Sequence, residues 1–417
     1  MANIPLKHDA FAALKIRDYR LFAGFRFCLT IAIQMQSLII GWQVYELTRD
    51  PLSLGLVGLA EAAPFIAVAL YAGHIADLHD RKRIILWFQM MFMAGTLILF
   101  LFSLDLAHFH RAFGLLPIFV VVGLTGIART FIGPANTALA AQIVPRELFP
   151  NASTWNSATW HVSAVTGPAL GGLIYGFFGV KIAYGAILSF AMLSIALLSA
   201  IPGRPVPAAL EDEPLGRRLL TGLRFVFGHQ ILLASMSLDM FGVLFGGAVS
   251  MLPVFAAEVL HVGPQGLGFL RAAPMAGAVL MSVFLAYRPP MHKSGRYLLL
   301  AVSAFGLCII LFALSKSYYL SLGLLFLSGL FDNISVIIRA TTMQLVTPDE
   351  MRGRVASVNS IFIGSSNEIG SFESGVAARL MGLVPSVVFG GAMTLLVVGA
   401  TAKLAPALRR LSLKSLR

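Results

Sequence analysis

Charge is scarce in this chain. Only 12% of its 417 residues are Asp, Glu, Lys or Arg, 58% are hydrophobic, and the mean hydropathy is +0.83. A soluble domain carries about 25% charged residues, so a soluble enzyme or binding module of this length is excluded. Cysteine is almost absent. Cys28 and Cys308 both fall inside apolar segments, which argues against a disulfide framework or a thiolate metal site and assigns both to packing. The short in–out alternation of a β-barrel is missing, which leaves helices as the means of satisfying the backbone in lipid. There is no phosphate-binding Gly-rich loop, nucleophile triad or metal-ligand spacing, so neither ATP chemistry nor a membrane enzyme is expected, and no cofactor or metal. The first 20 residues are mixed and charged (Lys7, Asp9, Lys15, Arg17, Asp18, Arg20). No cleavable signal peptide is therefore expected, and the first apolar segment serves as its own insertion signal.

What the chain does have is long apolar blocks. Crossing a bilayer takes about 20 such residues. The blocks predict helices at 21–46, 52–77, 84–104, 115–143, 152–178 and 181–201, then at 230–257, 265–287, 297–315, 318–346, 355–381 and 385–405. An all-α integral membrane protein of twelve transmembrane helices follows. The net charge of +12 raises the question of nucleic acid, but the placement of the basic residues answers it. Arg81, Lys82, Arg83, Arg146, Arg217, Arg218, Arg288, Lys293, Arg296, Arg352, Arg354, Arg409 and Arg410 fall on one side, together with both basic termini. The opposite loops hold only Arg49, Arg111, Lys181 and Lys316. Lys and Arg accumulate on cytoplasmic loops, so both termini are expected in the cytoplasm, with no nucleic-acid partner.

Residues 202–229 break the pattern with Pro202, Pro205, Pro207 and Pro214, followed by the basic amphipathic stretch LGRRLLTGLRFVF. This reads as a linker whose second part lies on the membrane surface, or else as the start of the seventh helix. It separates an N-terminal six-helix bundle, 1–201, from a C-terminal one, 230–417. The two echo each other. A shift of 203 residues aligns Gly126 with Gly329, Pro145 with Pro348, Asn156 with Asn359, Gly167 with Gly370 and Gly172 with Gly375. A shift of 210 aligns Gly58 and Pro64 with Gly268 and Pro274. Repeated bundles enclosing a midplane site are a common plan of secondary transporters.

Ionisable residues inside the apolar segments are Arg26, Glu61, Arg129, Asp239, Arg271, Asp332, Arg339, Glu368 and Glu373. Each costs about 2.5–3.5 kcal/mol at a helix centre, so they must face one another or a wet cavity, either as structural ion pairs or as functional groups. The repeat places Glu61 on Arg271 and Arg129 on Asp332. These opposite charges are expected to meet across the pseudo-twofold axis. A proton-coupled carrier needs a carboxylate that loads and releases a proton; burial and a neighbouring Arg act on such a group in opposite directions. Asp332 and Glu368 are the leading candidates, with Glu61 and Asp239 next, and Arg26, Arg129, Arg271, Arg339 and Glu373 as charge partners. Polar and aromatic residues placed to contact a substrate are Gln34, Gln36, Trp42, Asn136, Trp155, Asn156, Trp160, His161 and Asn359, each of which also fits a packing or anchoring role.

The loop after the second segment reads Gly73-His-Ile-Ala-Asp77-Leu-His-Asp80-Arg81-Lys82-Arg83. It resembles the signature loop of the major facilitator superfamily, G-x-L-A-D-R-x-G-R-K/R, with Asp80 in place of the second glycine. In that family Gly73, Asp77, Arg81 and Lys82 would latch the cytoplasmic gate. The fifth segment carries Thr166-Gly167-Pro168-Ala-Leu-Gly171-Gly172, which resembles the antiporter motif of the family's exporters and equally serves close helix packing. Gly329-Leu-Phe-Asp332-Asn333 and Asn359-Ser360 through Glu368, with Arg129-Thr-Phe-Ile-Gly-Pro134, are similar to the transmembrane secretion effector branch, the enterobactin-exporter-like group. The resemblance implies a major facilitator fold in a bacterial inner membrane and alternating access. It also implies proton-coupled export of an amphipathic small molecule, such as a siderophore or drug-like compound. A proton-coupled uptake symporter, a lipid or lysolipid flippase and a transporter-like membrane sensor remain as alternatives.

Overall fold

The computed structural model describes residues 9–204, 215–288, 290–348 and 351–416. Among them the chain is helical, without strands. The first six membrane helices are α1 (Arg17–Thr48), α2 (Pro51–Leu78), α3 (Arg81–Leu104), α4 (Leu116–Ile143), α5 (149–178) and α6 (180–199). The second six are α7, which starts as Gln230–Gly246, α8 (Pro264–Tyr287), α9 (Ser294–Leu314), α10 (Tyr318–Val346), α11 (Arg352–Met381) and α12 (Leu383–Leu404). Among the described residues ten helices are long and apolar enough to cross a membrane, and one of these is the continuous stretch that divides into α5 and α6. The helix outside the ten is α11, whose serines, asparagines and glutamates dilute its apolar content. Twelve crossings in two sets of six result.

Local chemistry explains the boundaries. Asp50 caps α2, accepting a bond from Leu52 N at 3.1 Å, and Pro51 occupies the first turn, where no N–H is required. Asp80 caps α3 by accepting from Lys82 N at 2.9 Å and Arg83 N at 3.4 Å. The corner between α5 and α6 is a single residue, Gly179, at φ 81°. Its repeat equivalent Gly382 turns α11 into α12 at φ 90°. That left-handed region strains any side chain, so glycine is required at both corners.

The two sets pack alike. α1 lies on the α5–α6 stretch, α2 and α3 on α4; correspondingly α7 lies on α11 and α12, and α8 and α9 on α10. Arg204 donates to Asp18 at 2.6 Å, and Gln230 Nε2 to the Leu404 carbonyl at 3.3 Å. The first bond joins the start of α1 to the end of α6 and the second the start of α7 to the end of α12, and an even number of crossings in each half puts all four at one end of the molecule, the terminus end.

At the opposite end the halves touch through glycine. A Cβ on Gly172 of α5 would sit 2.8 Å from Gly268 Cα of α8, and one on Gly375 of α11 would sit 2.7 Å from Gly55 Cα of α2. Backbone lies on backbone at both crossings. The Tyr45 hydroxyl donates to Glu258, and Arg379 pairs with Asp50 at 3.3 Å, each across the two halves. This end is closed.

Candidate functional site

Between the halves lies a cavity of about 450 Å³. Glu61, Arg129, Arg271, Asp332 and Glu368 line it, together with Gln34, Gln36, Ser37, Thr125, Asn367 and Ser371 and apolar groups such as Val57, Val243 and Phe305. The irregular continuation of α7 contributes Gly247, Val249 and Ser250, where α-helix gives way to a 3₁₀ turn and then to a π turn at Phe255–Val259. Interrupted helices of this kind are tolerated at membrane depth where they border a cavity.

Glycines bring the central charges together. On Gly126 a Cβ would meet the Glu61 carbonyl oxygen at 2.6 Å, so α4 can approach α2 closely enough for Arg129, one turn further on, to pair with Glu61. On Gly58 a Cβ would meet the Ser371 side chain at 2.6 Å and the Glu368 carbonyl oxygen at 3.2 Å, so α11 approaches α2 and Glu368 comes to 3.9 Å from the same Arg129 guanidinium. Arg271 of α8 donates to Ser37 Oγ of α1 at 2.7 Å, again across the halves, within electrostatic reach of Glu61 and Glu368. Two acids and two arginines thus form a balanced quartet that both halves share.

The sequence expectation of direct Glu61–Arg271 and Arg129–Asp332 pairs is corrected here. Glu61 takes Arg129 from its own half, and Asp332 belongs to a second group in the other half, where Arg339 pairs with Asp239 and donates through Nε to Ser335 Oγ at 3.2 Å. Both members of that pair are about nine-tenths buried. Asp332 and Asp239 border a shared small void beside Phe305. Removing one partner of a buried pair leaves an uncompensated charge at a cost of about 3–5 kcal/mol. Arg339→Met should therefore lower the thermal unfolding temperature of the purified protein sharply, and Asp239→Leu in the same chain should restore most of it. Equal melting of wild type and the single variant would remove this pair from the stability of the half.

Other anticipated residues lie elsewhere. Trp155 Nε1 donates to the Ala10 carbonyl at 2.9 Å and its ring meets Phe11, while Asn156 Oδ1 accepts from Tyr19. Trp155 fastens the N-terminal segment, and Asn156 the start of α1, to the start of α5; neither is a cavity group. Asn136, His161, Asn359, Glu373 and Arg26 are half-buried and off the cavity wall, Arg26 lying over the Phe22 ring. Trp42 and Trp160 are also off the wall, and Gln34 and Gln36 are on it. Gln36 is engaged at both ends of its amide, accepting from Thr96 at 2.7 Å and donating to Thr125 at 3.2 Å. Ser37, Thr125, Asn367 and Ser371 were not anticipated, although Thr125 stands four residues before Arg129 and Ser371 three after Glu368, which places each on the face of its charged neighbour.

The two family-like motifs also take definite positions. Gly167 and Gly171 seat α5 on Gln34 and Met35 of α1, Pro168 offers its carbonyl oxygen to the position of Gly268, and Gly172 makes the contact between halves. In the loop after α2, Lys82 donates to the carbonyls of Ser199 at 2.9 Å and of Ile201, at the end of α6, and Arg81 is buried. Gly73 has open space where a Cβ would stand, and the side chain of Asp77 lies outside the described residues.

Residues 5–415 match the transmembrane secretion effector family. The chain belongs to that family. It is a major facilitator transporter family and not a class of enzymes. Among its relatives is the enterobactin exporter EntS of Shigella dysenteriae serotype 1 (strain Sd197), 26% identical over 376 residues that cover 90% of this chain and 88% of the relative. EntS of Escherichia coli O1:K1 / APEC matches to the same extent. Among solved structures, a bacterial homologue of the human lysosomal transporter Spinster, in an inward-facing and unoccupied conformation, superposes with a TM-score of 0.71 at 16% identity, covering 95% of this chain and 99% of that one. A D-xylose-proton symporter gives 0.72 at 12% identity, covering 96% and 99%. Those likenesses are of fold. This family member is a multi-pass secondary transporter.

Proposed function

We propose that the protein exports an amphipathic small molecule across a bacterial inner membrane in exchange for protons. The carrying observation is Glu368 at 3.9 Å from an arginine already paired to Glu61, on the wall of a cavity sealed at one end. A carboxylate held by a cation of the opposite half links its own protonation to how the halves are joined. Proton entry down 100 mV supplies about 2.3 kcal/mol per charge, enough for modest uphill export. Asp332 is the second proton site, and Arg271 and Gln34 contact substrate. Residues 1–201 and 230–417 act as the two rocking bodies, joined by 202–229. The terminus end faces the cytoplasm, in keeping with its Lys and Arg, so the closed end faces outward. An amphipathic cargo suits a wall that mixes charges with Val57, Val243 and Phe305, and a siderophore-like compound suits the kinship with enterobactin exporters.

Inside-out membrane vesicles with an acid interior test this reading, with enterobactin and a lipophilic fluorescent dye as probes. Accumulation that a protonophore collapses is the expected result. Accumulation only with an alkaline interior would indicate a symporter, and gradient-independent movement a flippase; either would overturn exchange with protons.

A further inference from the structure

The segment joining α6 to α7 ends in a helix of its own, Leu215–Gly228. One of its faces is committed. Val226 is fully buried with Val355 and Val358 of α11, and a Cβ on Gly222 would meet the Arg354 carbonyl oxygen at 2.8 Å. Among the described residues the opposite face is largely uncovered. Leu220 is 55% exposed, Phe227 is 59% exposed, and Arg224 stands exposed between them. Spacings of four and three residues put all three on one side of the helix. Two large apolar side chains flanking a guanidinium are unfavourable in water. They suit the headgroup boundary of a bilayer, where apolar groups enter the acyl region and a cation meets phosphate. The helix stands at that boundary, because α7 begins two residues after it at Gln230.

We propose that this face binds anionic phospholipid. Charge complementarity selects an anionic surface over a neutral one. Arg296 at the start of α9, Arg352 at the start of α11 and Arg409 after α12 emerge at the same end of the bundle, in a chain with 31 basic and 19 acidic residues. A headgroup on Arg224 holds the helix down on the start of α11, the helix that carries Glu368. Lipid charge thereby acts on the C-terminal half without entering the cavity.

Hydrogen exchange of the full-length protein in nanodiscs, with and without phosphatidylglycerol in phosphatidylcholine, tests this. Amides at 220–228 should exchange about fivefold more slowly when the anionic lipid is present, the effect of one basic residue near such a surface. High salt or Arg224→Gln should remove the difference. Phe227→Ser should speed exchange in both lipids. Unchanged exchange at 358–378 of α11 certifies that each variant is folded. Equal exchange in the two lipids would assign the face to apolar insertion alone and overturn the proposal, as would a lipid effect that survives Arg224→Gln.

Discussion

Replacing Glu368 with Gln is expected to abolish uphill transport, by 100-fold or more, and to spare exchange of substrate across a membrane without a pH gradient. Glutamine keeps the shape and the hydrogen-bonding capacity but has no proton to trade at working pH. Among the described residues Arg129 then retains Glu61 as its ionic partner, and the attraction linking α4 to α11 is lost. The Arg129 side chain is 48% exposed to the cavity, so solvent screening holds that attraction to about 1 kcal/mol. A linkage between sites needs no more than about 1–3 kcal/mol, and a strong bond would lock the halves together. The measurement is uphill accumulation beside counterflow in the same proteoliposomes. Loss of both would make Glu368 a binding or folding residue, and retention of uphill transport would remove it from coupling.

Gly172→Leu and Gly375→Leu should each stop turnover by preventing closure of the end at which the halves now meet. Their neighbours are main-chain atoms, Gly268 Cα at 2.8 Å and Gly55 Cα at 2.7 Å, which no rotamer change can move aside. The halves must separate there instead. Spin labels on cysteines introduced at Arg49 and Lys181, read against partners in the second half, should show distances lengthened by several ångströms, about the diameter of the added side chain. Cys28 and Cys308 are buried and leave the background labelling low. Gly323→Leu is the control, since nothing lies within 4 Å of its Cβ position, and it should transport normally. Unaltered distances in the two variants would mean that the crossings yield in some other way.

Much of this architecture could be read from residue order alone. Apolar length located the helices, and the matched glycines and prolines disclosed the repeat. Partnerships were harder. A repeat says which positions are equivalent, and equivalence is not proximity: Glu61 and Arg271 occupy matched places, yet Glu61 bonds to Arg129 because α2 and α4 pack within one half. Hydroxyls on the cavity wall were also hard to single out. Thr125 bonds back to the Val121 carbonyl at 2.9 Å and Ser371 to Asn367 at 3.0 Å, as serine and threonine do throughout helices. Their helical spacing from Arg129 and Glu368 is the sequence signal that sets these two apart. Trp155 misled for a related reason, since an indole needs one acceptor and a terminal carbonyl serves as well as a ligand.

The corners at Gly179 and Gly382 turn the chain in one residue each. A loop can absorb added length, and these corners have none to give. An inserted residue there would rotate everything beyond it by about 100° about the helix axis, carrying α6 or α12 off its packing face. Those two points therefore hold the register of each half, and length variation, epitope tags or chain breaks belong at the linker instead.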